Sequence, residues 1–131
     1  MTTDYQHISI QTIDQALVIT IQERQLRDYG LAKALEQEMK QAVAESEYKN
    51  TVLDMEPVVM MTSSSLLALL GLRVCVREAA AELVLCNLQV AVAEALTVSQ
   101  LLVERRNVGA HFRLAENVPA ALAMLQQQHE D

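Results

Sequence analysis

The run from Thr51 to Gly71 constrains this chain more than any other stretch. Thr51-Val52-Leu53-Asp54-Met55 is aliphatic and β-branched enough for a strand, and Glu56-Pro57 gives a short connection. Val58 to Met61 is apolar again. Four consecutive hydroxyl residues follow, Thr62-Ser63-Ser64-Ser65, and from Leu66 the spacing turns helical. Ser and Thr suit a helix start because a side-chain oxygen accepts from the unpaired N–H groups of the first turn. One hydroxyl suffices for that role, and this chain places four there. The positive end of the helix dipole lies at the same point, so the helix itself would tolerate a phosphate on one of these oxygens. Such a phosphate would add a charge of roughly −1.5 to −2, which any docked partner would feel.

The rest of the chain repeats the strand-to-helix alternation. Tyr5 to Thr12, with Ile8 and Ile10 at period two, and Ala16 to Ile21 read as a hairpin around Ile13-Asp14-Gln15. Gln22 to Gly30 is polar and reads as a loop. From about Leu31, the residues Leu35, Met39 and Val43 recur every four positions opposite Lys33, Glu36, Glu38, Lys40 and Glu45, which marks an amphipathic helix ending at Ser46 to Asn50. A helix over Ser63 to Ala81, a strand over Leu83 to Cys86, a helix over Val90 to Val98 and a strand over His111 to Leu114 follow. A last helix opens near Asn117, an N-cap with Pro119 in the first turn, and carries Val118, Leu122 and Leu125 on one face. A hairpin followed by helix-strand units predicts an α/β fold: a mixed, mostly parallel β-sheet with an N-terminal antiparallel hairpin, covered by about four helices. With 131 residues and no internal repeat or linker, the expectation is one domain over 1–131 with an ordered core of about 5–126. The segment 101–110 has no assigned part.

Composition removes whole classes of function. A net charge of −7, with Arg105-Arg106 as the nearest thing to a basic patch, excludes nucleic acid and suits at most a basic face on a protein partner. Cys75 and Cys86 stand alone in apolar stretches and read as buried free thiols, consistent with a reducing cytoplasm. The N-terminus lacks a secretory pattern. The longest apolar run, Leu66 to Leu72, is far short of the ~20 residues of a membrane span. A cytoplasmic protein with no membrane segment is expected. The histidines are His7, His111 and His129, and there is no Gly-x-Ser-x-Gly elbow, no glycine-rich phosphate loop and no clustered metal-ligand spacing. Neither catalysis, a metal nor a cofactor is expected.

The central stretch resembles the STAS domain, the fold of bacterial anti-sigma factor antagonists. The family pattern is an aliphatic strand ending in an acidic residue, a short loop, and Asp-Ser-Ser-Gly-Leu opening a helix with a Leu-Leu pair and a Gly. Asp54, Thr62-Ser63-Ser64-Ser65-Leu66, Leu69-Leu70 and Gly71 fall into that register, with Thr62 for the motif Asp and Ser65 for the motif Gly. Glu82 to Leu88 is similar to the family's fourth strand and turn, Val92, Leu96 and Leu101 to its third helix, and Phe112 to Leu122 to its last strand and closing helix. Gln22 to Leu26 departs from the family's Gly-Glu-Leu-Asp.

The resemblance implies partner switching, in which the protein binds an anti-sigma factor that is an ATP-dependent serine kinase and so frees a sigma factor. The kinase phosphorylates the motif serine, and a phosphatase resets it. Ser63 falls on the first motif serine and Ser64 on the second, which makes these two the phosphoacceptor candidates. The implied partner-binding surface is Asp54, Thr62, Ser63, Ser64, Ser65, Leu66 and Leu67. Asp54 and Glu56 would sit near the serines at the carboxyl edge of the sheet.

The helix from Leu66 to Val76 is apolar nearly all round. Leu67 and Val74 lie on one flank, and Leu69, Leu72 and Val76 on the other. Either neighbouring helices bury both flanks, or one flank is a docking patch beside the serines. Two further readings stand beside the switch: a non-phosphorylated STAS interaction or assembly module, and small-ligand binding at the same sheet edge.

Overall fold

The computed structural model describes residues 5–98 and 112–129. Its elements are β1 (Ile8–Ile13), β2 (Ala16–Ile21), β3 (Gln25–Leu26), α1 (Tyr29–Glu45), β4 (Thr51–Asp54) and β5 (Met60–Met61). A 3-10 turn (Ser63–Ser65) follows, then α2 (Leu66–Glu78), β6 (Leu83–Cys86), α3 (Val90–Val98), β7 (Arg113–Ala115) and α4 (Val118–His129). The first two strands form the expected hairpin. Asp14 and Gln15 take left-handed backbone angles, φ 51° and 64°, giving the two-residue turn whose twist matches paired strands. Gln22 N–H donates to His7 O at 2.8 Å, and this sets the phase of the ladder: the hydrogen-bonded pairs are His7 with Gln22, Ser9 with Thr20, Gln11 with Val18 and Ile13 with Ala16.

The main sheet runs β1-β2-β4-β6-β7, antiparallel between β1 and β2 and parallel throughout the remainder. Its middle strands are buried on both faces, which is why they read as unbroken aliphatic runs. Leu17, Ile19, Ile21, Leu53 and Leu85 face a core shared with Leu35 and Met39 of α1, Leu69 and Leu72 of α2 and Leu96 of α3. Ala16, Val18, Val52, Val84 and Cys86 face the opposite side, where α4 covers them with Ala121, Leu122 and Leu125. α4 is capped as expected, Asn117 Oδ1 accepting from Ala120 N–H at 2.9 Å. No helix among the described residues is long and apolar enough to cross a membrane.

Several boundaries differ from the sequence reading. Gln22 to Gly30 is not all loop: β3 pairs in parallel with β5, and Asp28 Oδ1 accepts from Leu31 N–H at 2.7 Å, so α1 starts at Tyr29. Met55 leaves the ladder but stays buried, its N–H donating to Cys86 O at 3.0 Å. The helix expected over Ser63 to Ala81 opens with the 3-10 turn and stops at Glu78, and Ala80 at φ 59° turns the chain towards β6. The last strand is Arg113–Ala115, shifted from the expected His111 to Leu114. His111 and segment 101–110 lie outside the described residues.

Glu38 and Glu36 tie α1 to its neighbours on two sides. The Glu38 carboxylate accepts from the N–H groups of Gln6 and His7 at 2.9 and 2.8 Å, fastening the chain that enters β1. On the other side, the missing side chain of Gly71 in α2 leaves room for Glu36, since a Cβ there would stand 2.7 Å from Glu36 Cδ. The Glu36 carboxylate so placed meets Lys40 Nζ at 2.8 Å, and this hydrogen bond and charge raise the Lys40 pKa above its ordinary value.

Candidate functional site

The four hydroxyls do not share one job. Below the 3-10 turn lies the carbonyl of buried Leu26, at the end of β3. Thr62 N–H donates to it at 3.0 Å and Ser65 Oγ at 2.6 Å, while Thr62 Oγ1 stands 3.4 Å from it and from Arg27 O. Thr62 Oγ1 and Ser65 Oγ are 3.1 Å apart. Ser65 is completely buried, so its hydroxyl must find an acceptor inside the protein, and Leu26 supplies it. Ser65 occupies the position before α2 but makes no side-chain cap there, contrary to the simple capping reading; its N–H closes the 3-10 turn onto Thr62 O at 3.0 Å. Ser63 is exposed, and its hydroxyl has no hydrogen-bond partner among the described residues. Ser64 lies on the same turn. No acidic side chain occupies the first turn of α2, so the helix offers its positive end to this corner without a carboxylate of its own.

Of the implied partner-binding residues, Ser63 and Leu67 are exposed, Asp54 and Thr62 half-buried, and Ser65 and Leu66 buried. Leu66 faces the core. Leu67 is 54% exposed and Val74, two turns further along the same face, is 53% exposed; Leu69, Leu72 and Val76 on the opposite flank are buried. One flank of the apolar helix is therefore covered and the other open. Arg73 lies over the Phe112 ring at 5.9 Å, and its burial, with the like charge of Arg77, lowers its pKa below the ordinary arginine value.

Asp54 is bonded to the neighbouring strand ends. Its Oδ1 accepts from Asn87 Nδ2 at 2.9 Å and from Glu56 N–H at 3.1 Å, and Thr20 Oγ1 stands 3.5 Å from Oδ2. These bonds join the ends of β2, β4 and β6. Glu56 lines an open cleft of about 480 Å³ with Asn87, Leu88, Gln89, Leu114 and Glu116, where Gln89 Nε2 donates to Glu56 O at 2.8 Å. Neither carboxylate is hydrogen-bonded to the Thr62–Ser65 turn.

Sequence reasoning missed Leu26 and Asn87. Leu26 acts through its backbone carbonyl, which leaves no trace in side-chain pattern. Asn87, at φ 58°, carried the available signal, since Asn directly after a strand favours that left-handed conformation. Of the thiols, Cys75 is half-buried and Cys86 buried. Burial, then the charges of Asp54 and Glu56, pushes the Cys86 pKa up to about 12, so it is a protonated, inert thiol at neutral pH. Among the described residues no group of His, Cys, Asp and Glu is arranged to hold a metal ion. His7 is paired with Glu23, Nδ1 to Oε2 at 2.6 Å.

The sequence model of the STAS domain family matches residues 7–118. No sequence among curated proteins matches the chain. Solved structures similar to it include a serine-to-glutamate variant of Moorella thermoacetica RsbS, 17% identical, covering 95% of this chain and 98% of that one, TM-score 0.71. An anti-sigma-factor antagonist (STAS) domain protein from Planctomyces limnophilus is 20% identical, covering 89% and 97%, TM-score 0.70. A sulfate transporter family protein from Wolinella succinogenes is 18% identical, covering 92% and 93%, TM-score 0.70. The same architecture thus serves both antagonists and transporter proteins.

Proposed function

The chain belongs to the STAS domain family, and on that premise we propose that it is an anti-sigma factor antagonist working by partner switching in the cytoplasm. The observation that carries this reading is the contrast within one turn: Thr62 and Ser65 are tied to the Leu26 carbonyl, while Ser63 presents an exposed hydroxyl with no hydrogen-bond partner among the described residues at the start of α2. In the unphosphorylated state, Ser63 and the open Leu67 and Val74 flank meet an ATP-dependent serine kinase that also holds a sigma factor. The Ser63 oxygen then attacks the terminal phosphoryl group of the kinase's ATP, its proton passes to a base on the kinase, and ADP leaves. The resulting dianion is stabilised by the helix dipole but must be desolvated to remain in the interface, so the complex separates. A phosphatase restores the hydroxyl. Ser64 is the alternative acceptor on the same turn.

Intact-mass spectrometry of the protein from its native cells, with fragment mapping across Thr62 to Ser65, tests this reading. The expected result is one phosphate that disappears in Ser63→Ala. A phosphate that stays on Ser64 moves the acceptor by one residue. Absence of phosphate in every growth condition, with a partner still co-purifying, would instead establish the second reading, a constitutive interaction or assembly module. That reading is favoured by the two departures from the family motif, because Thr62 and Ser65 are the hydroxyls that lock the turn to Leu26.

A further inference from the structure

We infer that the outer edge of β1 is a self-association surface, on which a second copy of this chain adds its own β1 antiparallel about Ile10 and joins two five-stranded sheets into one. The inference stands apart from the switching function and rests on the hairpin. Among the described residues no strand pairs with the outer side of β1. Exposed edges are normally blunted by charge, proline, a bulge or shortness. The β1 sequence Ile-Ser-Ile-Gln-Thr-Ile has no charge and no proline, and it pairs with β2 without a bulge over all six residues. The opposite edge, β7, is three residues long and carries Arg113.

The phase of the ladder decides the register. Because Ser9, Gln11 and Ile13 bond inward to β2, the N–H and C=O groups of Ile8, Ile10 and Thr12 point outward. Pairing two copies antiparallel about Ile10 sets Ile10 against Ile10 of the partner subunit and Ile8 against Thr12 of the partner subunit, so each outward group meets a complementary one. A single strand is thus its own template, which is the reason for naming a second copy as the occupant. Ile10 is 41% exposed on the free protein and covers its own counterpart in the pair. On the other face Ser9 falls opposite Gln11 of the partner subunit. Ser9 Oγ already accepts from Gln22 Nε2 at 2.9 Å, and its own proton is left to donate to the side-chain oxygen of Gln11 of the partner subunit. Charge agrees as well: in a chain of net charge −7 the strand itself is neutral, and the acid next to it in sequence, Asp14, falls opposite Gln6 of the partner subunit.

So short an edge gives a weak dimer, with a dissociation constant on the order of 10 µM to 1 mM. Sedimentation of the full chain across about that range, with amide hydrogen exchange at both ends of it, is the test. Dimer should appear with concentration, and the Ile8, Ile10 and Thr12 amides should gain protection only at the high end, while Ser9 and Gln11 are protected throughout by β2. Ile10→Lys and Ile10→Glu should each weaken association at least about tenfold by setting like charges opposite one another, and an equimolar mixture should recover it as a heterodimer. Circular dichroism and the thermal midpoint show that each variant is folded. A monomer at about 1 mM, a dimer indifferent to both variants, or a mixture no tighter than either variant alone overturns the inference.

Discussion

Ser65 and Ser63 sit two positions apart, and the fold asks opposite things of them. Ser65→Ala leaves the Leu26 carbonyl without its shortest donor inside the core and should cost about 1–2 kcal/mol of stability by denaturant titration. Ser63→Ala removes an exposed hydroxyl without a described partner and should stay within about 0.5 kcal/mol of wild type, so a phosphorylation defect in that variant would not be a folding defect. The family register set Ser63 and Ser64 apart as acceptor candidates, but which hydroxyls the fold ties down was not legible, because the group that holds Ser65 is a backbone carbonyl 39 residues upstream, in a strand too short to have a period. Cys86 supplies a pH prediction. Its folded pKa of about 12 lies above the ordinary 9.0, so its protonated form favours the native state. That contribution is complete below pH 9 and is lost as pH rises towards 12. Wild type should therefore lose stability relative to Cys86→Ala across this window, with a slope approaching about 1.4 kcal/mol per pH unit.

Among the elements, α2 was the most legible in sequence and the least decided. Its apolar spacing gave the helix and both flanks, yet only the position of α1 says that Leu69, Leu72 and Val76 are covered while Leu67 and Val74 are open. Gly71 marks where the two helices approach. In a helix interior, Gly→Ala ordinarily stabilises by about 1 kcal/mol. Here the added methyl displaces Glu36 from its place beside Lys40, so Gly71→Ala should lose that gain. In a Glu36→Ala background it should recover it, stabilising by about 1 kcal/mol, and a double-mutant cycle of thermal midpoints checks the coupling. Boundaries went astray where a side chain outside the periodic run set them. Asp28 starts α1 ahead of its first apolar residue, and β3 and β5 hold each other in place with no pattern of their own.

At the scale of the whole molecule, the order of strands and helices was readable because alternation of period two and period four allows few topologies once the right-handed crossover is imposed. What that order did not contain was the division of the helices between the two faces of the sheet. Among the described residues, α1, α2 and α3 share one core, whereas α4 alone roofs the other, where Val18, Val52, Val84 and Cys86 depend on Ala121, Leu122 and Leu125. The two faces therefore need not come apart together. If α4 lifts while the larger core holds, Cys86 becomes a chemical clock for that event. Alkylation of the native protein at neutral pH should then follow the opening equilibrium of α4, and Leu125→Ala should speed labelling more than it lowers the global midpoint. Labelling that tracks global unfolding alone would mean that the sheet and α4 melt as one body.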